Sequence, residues 1–121
     1  MSLKILAVDD SRTMRDMIRL ALTSAGFDVV QAEDGEHGLE VLSGIEPDVI
    51  ITDINMPKLD GFGFIDGVRA NQRNRAIPIL VLTTESAPEL KQRAKAAGAT
   101  GWIVKPFDQD KLIRAIQRVA A

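Results

Sequence analysis

Two adjacent acids, Asp9 and Asp10, a third acid, Asp53, a hydroxyl at Thr83 and an ammonium at Lys105 are the side chains whose chemistry belongs together. Three carboxylates packed together repel, and each raises the pKa of its neighbours. A divalent cation with oxygen ligands relieves that repulsion, and Mg²⁺ suits a site with few carboxylates, some water and a phosphate. A carboxylate can attack a phosphoryl group and form an aspartyl phosphate. The metal and the Lys105 ammonium would neutralise charge on the transferring group, and the Thr83 hydroxyl would donate to one of its oxygens. These residues hold the parts of a phosphoryl-accepting site, with one of the carboxylates as the acceptor.

Such a site needs a sheet to bring its members together. Apolar runs rich in Val, Ile and Leu, at residues 5–8, 49–51, 79–82 and 103–104, read as strands buried on both faces, and Val29-Val30 is a weaker run of the same kind. Between them lie segments with helical spacing. Met14, Ile18, Ala21, Leu22 and Ala25 share one face of the first, and Gly26 follows as a C-cap. Residues 35–42 form a weaker second helix and residues 62–70 a third. Leu90, Ala94 and Ala97 mark a fourth, ended by Gly98, and Leu112, Ile116 and Val119 a fifth.

Strands and helices in strict alternation predict an α/β fold, a parallel sheet with helices on both faces and right-handed crossovers. In such sheets binding sites form beyond the carboxyl ends of the strands. Asp9-Asp10 directly follow the first run and Asp53 the third, while Thr83 ends the fourth and Lys105 the fifth. An acid after a strand often only caps a helix, and Asp10 or Ser11 could cap the first one. Agreement at several strand ends at once favours a site.

The chain has 121 residues, 45% apolar and 26% charged, as expected of a single globular domain, residues 1–121. With the last helix finishing at the chain end, no output domain is expected. A net charge of −2 argues against a general nucleic-acid binder. There are no cysteines, which excludes disulfides, thiolate metal sites and a Cys nucleophile. The first apolar run is too short for a signal peptide, and no stretch approaches a membrane span, so a cytoplasmic protein with no membrane partner is expected.

Val8-Asp9-Asp10, Asp53 followed by Met56-Pro57 and Asp60-Gly61, Thr83, and Lys105-Pro106-Phe107 stand in an order and spacing that resemble the response-regulator receiver family over essentially the whole length. Within that family the chain is most similar to the stand-alone chemotaxis type. The resemblance implies a flavodoxin-like doubly wound sheet of five strands in the order 2-1-3-4-5. It implies that Asp53 is the phosphoacceptor and Asp10 the acidic metal ligand, with Asp9 binding through water or tuning the site. Asn55 then lends its backbone carbonyl to Mg²⁺, Thr83 is the switch hydroxyl and Lys105 contacts the phosphoryl group. Trp102 holds the switch-aromatic position, where Tyr or Phe is more usual, and the bond before Pro106 is often cis. Asn55, Thr84 and Glu85 occupy positions that tune dephosphorylation. Asn55 and Glu85 match the fast-turnover chemotaxis type, while Thr84, bulkier than the usual Ala or Gly, works the other way.

The resemblance further implies a two-component response regulator, a monomer that is not an enzyme but assists its own phosphorylation and dephosphorylation. A histidine kinase, or its phosphohistidine domain, would donate the phosphoryl group. A flagellar motor switch protein or another target would read the result, with a phosphate sink or a phosphorelay intermediate as the alternative role. A flavin carrier of the same fold would need a phosphate loop after the first strand, where Asp9-Asp10 stand. An aspartate phosphatase would place its nucleophile after the first strand, with a second Asp two residues on. His37, the one histidine, reads as a solvated helix residue. Gly61-Phe62-Gly63-Phe64 reads as the opening of the third helix with two packed rings. Lys91, Arg93 and Lys95 are either a solvated face or part of a partner surface.

Overall fold

A computed structural model describes residues 2–121. Its strands are β1 (Lys4–Val8), β2 (Asp28–Ala32), β3 (Val49–Thr52), β4 (Ile79–Thr83) and β5 (Gly101–Val104). Its α-helices are α1 (Arg12–Ser24), α2 (Gly35–Leu42), α3 (Gly61–Ala70), α4 (Pro88–Ala97) and α5 (Gln109–Ala120). All strand pairs are parallel, in the order β2-β1-β3-β4-β5. The chain therefore runs outward from β1 to one edge, returns, and crosses to the other edge through β3. That reversal opens a crevice at the carboxyl ends of β1 and β3.

Alternation along each strand assigns the core to two layers. Leu6 and Val8 of β1, Ile50 of β3 and Ile79 and Val81 of β4 pack under α2, α3 and α4 with Phe64, Ile65 and Val68. Ile5 and Ala7, Val49 and Ile51, and Leu80 and Leu82 pack on the other face under α1 and α5 with Ile18, Leu22, Leu112 and Ile116. Because both faces are covered, these strands read as continuous apolar runs. β2 is an edge strand, mostly half-buried, and its weaker signal follows from that position. No helix among the described residues is long and apolar enough to cross a membrane.

The helix ends follow local chemistry. The side chains of Ser11, Asp34, Asp60 and Asp108 accept from backbone N–H groups in the first turns of α1, α2, α3 and α5. Ser11, one of the two candidates, is thus the cap of α1, which leaves the Asp10 carboxylate free of that duty. Gly98 ends α4 in the left-handed region at φ 115°, a conformation that costs other residues a steric penalty. Gly26, also at positive φ, lies one position beyond the α1 cap, Ala25. His37 is half-buried rather than solvated, and its Nδ1 accepts from the Glu33 N–H at 3.1 Å.

Candidate functional site

The first acid after an apolar strand is also the first residue released from the core, so strand termini fix where the carboxylates stand. Asp9 lies beyond β1 with its N–H donated to the Ala32 carbonyl of β2, and Asp53 lies beyond β3 with its N–H donated to Val8 of β1. Both are buried, at 1% and 9% exposure, whereas Asp10 is exposed. One carboxylate oxygen from each of Asp9, Asp10 and Asp53 lies within 4.8 Å of the others. The sequence expectation of three converging acids is met.

Lys105 closes the group. Its Nζ stands 2.7 Å from Asp9 Oδ2 and 2.8 Å from Asp53 Oδ2. The other oxygen of each acid is held by backbone, Asp9 Oδ1 by the Ser11 N–H at 2.9 Å and Asp53 Oδ1 by the Ile54 N–H at 2.6 Å. Burial pushes the Asp9 carboxyl above its ordinary value, against the Lys105 and Ser11 hydrogen bonds, and the nearby Asp53 charge adds to the rise. For Lys105, burial acts to lower the pKa, but the hydrogen bonds and charges of Asp53 and Asp9 outweigh it and leave the ammonium above its ordinary value. Lys105 thus pairs two of the three carboxylates, and the three acids with this one ammonium carry a formal excess of two negative charges. Hard oxygen donors with that excess fit a small divalent cation, and Asp10 is the exposed carboxylate of the three.

Thr83, at the end of β4, is fully buried, and its Oγ1 accepts from the Glu85 N–H at 3.4 Å. Lys105 donates its backbone N–H to the Thr83 carbonyl at 2.8 Å, which ties the two site-bearing strand ends together. The Lys105–Pro106 peptide is cis. Asn55 and Glu85 meet directly, Asn55 Nδ2 donating to Glu85 Oε1 at 3.0 Å, while Thr84 is exposed beside them. Trp102 faces the α4 side, as alternation predicts, with Ile103 on the α5 side. Its indole Nε1–H donates to the Glu85 carbonyl at 3.0 Å.

Two supporting residues were not assigned roles from sequence. Arg15 of α1 donates from Nη1 to the Asp9 carbonyl at 2.7 Å and so clamps the Asp9-Asp10 turn. A surface arginine on an amphipathic helix carries no sequence signal of such a contact. Gly61, read as a helix start, packs its α-carbon against the β3–α3 loop. A Cβ there would sit inside the Asp53 carbonyl oxygen and 2.7 Å from Ile54 Cα. Phe62 and Phe64 are buried as expected, and the Arg93 guanidinium lies 4.0 Å over the Phe62 ring. Arg93 is therefore not simply solvated.

Residues 5–117 match the response regulator receiver domain, and the chain belongs to that family. Its members act as signalling switches rather than classical enzymes. The chain is 38% identical to a probable chemotaxis protein CheY of Rhizobium etli, over 97% of this chain and 92% of that protein. It superposes on the chemotaxis protein CheY4 of Vibrio cholerae with a TM-score of 0.94 at 47% identity, covering 98% and 99% of the two chains. The receiver domain of a sensor histidine kinase of Pseudomonas aeruginosa, solved with a magnesium ion coordinated in its active site cleft, matches with a TM-score of 0.92 at 28% identity over 99% and 98% of the chains.

The division of labour between Asp10 and Thr83 is open to titration. Asp10→Ala should weaken Mg²⁺ binding by about tenfold or more, because a hard anionic ligand is lost. Thr83→Ala should leave it nearly unchanged, since its buried, neutral hydroxyl contacts the Glu85 N–H and is not one of the clustered carboxylates. Asp10→Ala should also raise the melting temperature of the metal-free protein by removing repulsion. Equal Mg²⁺ affinities in the two variants would show the roles to be misassigned.

Proposed function

We propose that this protein is a phosphorylation-switched response regulator in which Asp53 receives a phosphoryl group from the phosphohistidine of a histidine kinase. The convergence of Asp9, Asp10 and Asp53, with Lys105 across two of them, is the observation that carries this reading. In the transfer the Asp53 carboxylate attacks phosphorus, the N–P bond breaks, and the imidazole leaves as a neutral base once protonated. Asp9, Asp10, Asp53 and the Asn55 backbone carbonyl would hold Mg²⁺, which when bound supplies positive charge to the phosphoryl oxygens. Lys105 stays with the developing charge, and the Thr83 hydroxyl proton is free to turn toward a phosphoryl oxygen, because its oxygen only accepts from Glu85. The site assists both uptake and loss of the group.

The output we assign is a change in affinity for a downstream target in chemotaxis, a flagellar motor switch protein in the first instance. The nearly full-length similarity to chemotaxis proteins supports it. Movement of Thr83 toward the phosphoryl group would pull on Glu85, to which Trp102 is bonded, and so shift the indole between pre-existing positions.

As the one tryptophan, Trp102 reports this directly. Acetyl phosphate with Mg²⁺ should convert the protein to an acyl phosphate and change the emission and quencher access of Trp102, with a smaller change in Thr83→Ala. Constant emission and quenching in a protein fully phosphorylated on Asp53 would remove Trp102 from the switch. Absence of any acyl phosphate would remove the proposed function itself.

A further inference from the structure

Asp9 is held at every polar group. Its N–H donates to the Ala32 carbonyl at 3.1 Å, its carboxylate oxygens accept from the Ser11 N–H and the Lys105 ammonium, and its carbonyl accepts from Arg15 Nη1 at 2.7 Å. Asp10 is the opposite case. Its carboxylate is exposed, and among the described residues no hydrogen bond or ion pair holds it. What aims it is the peptide that runs from the Asp9 carbonyl into Asp10. Arg15 therefore grips the one peptide unit that the two acids share. The arginine is itself braced. Its backbone N–H donates to the Ser11 carbonyl at 2.9 Å, and its carbonyl accepts from Gln31 Nε2 of β2 at 2.7 Å. Close as it is to the acidic cluster, the Arg15 guanidinium makes no ion pair among the described residues. It holds a carbonyl and leaves the carboxylate oxygens unoccupied.

We propose that Arg15 is a positioning residue for the divalent cation, aiming the Asp10 carboxylate by fixing the Asp9–Asp10 peptide; this rests on the reading of the three acids as a cation site. A small hard cation demands near-ideal octahedral geometry, so a carboxylate free to swing loses conformational entropy when it binds. With the shared peptide pinned, much of that ordering is complete in the folded protein before any cation arrives. A guanidinium suits the task. Its planar fork carries several N–H donors, and a charge-assisted bond to a carbonyl is stronger than a neutral one. The charge itself works the other way, because a fixed positive group near a cation site repels the cation. Pinning and charge therefore have opposite signs and can be separated.

Arg15→Met removes both the N–H donors and the charge. Arg15→citrulline removes the charge and keeps the donors. It can be installed by joining a synthetic segment 1–20 to the remainder at Ala21; the chain has no cysteine, so a ligation cysteine there is desulfurised back to alanine without side reactions. Mg²⁺ affinity is read from the rise in melting temperature with Mg²⁺, each protein against its own metal-free value and with no phosphoryl donor present. Arg15→Met should bind Mg²⁺ about three- to fivefold more weakly than Arg15→citrulline, the range of one modest hydrogen bond. Arg15→citrulline should bind at least as tightly as the wild type, because only the repelling charge has gone. In the Asp10→Ala background the two replacements should bind alike, since the carboxylate being aimed is absent. Equal affinities for Arg15→Met and Arg15→citrulline with Asp10 present would overturn the proposal, as would a deficit that persists in full in Asp10→Ala. A wild-type melting temperature indifferent to Mg²⁺ would strike the cation site and this role with it.

Discussion

Asp53→Asn is expected to take up no phosphoryl group at this position, a fall of at least about 10³-fold in the rate of acyl phosphate formation. The substitution is nearly isosteric. The Ile54 N–H and the Lys105 ammonium bind different carboxylate oxygens, so the single amide oxygen can keep one of the two contacts and the other is lost. What disappears is the anionic oxygen that attacks phosphorus and one of the carboxylates available to the cation. Thr52 offers the adjacent hydroxyl, but it is fully buried and donates to the Asp53 carbonyl at 2.8 Å. It is not placed to substitute as acceptor. The fold should persist, with a melting temperature no lower than that of the metal-free wild type, because one charge of a crowded acidic cluster has gone. Chelating divalent cations with EDTA should stop labelling of the wild-type protein to a comparable degree. Labelling of the variant at the wild-type rate, or of the wild type in EDTA, would show that the acceptor or the metal requirement is wrong.

Lys105→Met should have the largest effect on stability. Lys105 and Asp9 side chains are 8% and 2% exposed, and the ammonium also holds Asp53. Removing one member of a buried pair leaves the other charge desolvated and unpartnered, at a cost of about 3 kcal/mol, the low end for such pairs because the mouth of the site admits water. For a chain of this size that lowers the melting temperature by roughly 10 °C. The pH at which to look follows from the shift. The folded pKa of Lys105 lies above the ordinary 10.5, so its contribution is complete below that value and fades as pH rises through the folded value. At neutral pH it is fully expressed. The carboxylates that destabilise the metal-free variant also bind Mg²⁺ more strongly once the competing ammonium is gone. Saturating Mg²⁺ should therefore recover most of the loss, and the rise in melting temperature with Mg²⁺ should exceed that of the wild type. A variant as stable as wild type in EDTA would mean that the ammonium is not compensating the acids.

Strand and helix alternation was legible in the sequence because both faces of this sheet are covered. Buried strands such as Ile79–Thr83 are then unbroken apolar runs, and the first acid beyond them marks a carboxyl end. The same logic sets Asp9 and Asp53 at one edge, where Lys105 at the end of the fifth run also falls. β2 was the weakest reading because an edge strand is only partly buried and carries Asp28 and Gln31 among its five residues. Short-range roles were partly readable, since a cap acts over one turn: the Gly98 helix end was legible, and the α1 cap was narrowed to Asp10 or Ser11, of which the structure has Ser11.

What the sequence determined by itself was therefore the order of elements and the edge on which the chemistry stands. Which atoms meet there was decided only in three dimensions. Lys105 reaches Asp9 across 96 residues and Asp53 across 52, and both contacts depend on how β5 and the loop after it lie against the rest of the sheet. Arg15 on the Asp9 carbonyl, Gly61 against the Asp53 carbonyl and Glu85 between Asn55 and Trp102 belong to the same kind. Periodicity records which side of an element is buried, because burial repeats with the backbone. A contact between loops does not repeat. Its geometry is set jointly by strand register, crossover path and the packing of helices on either face.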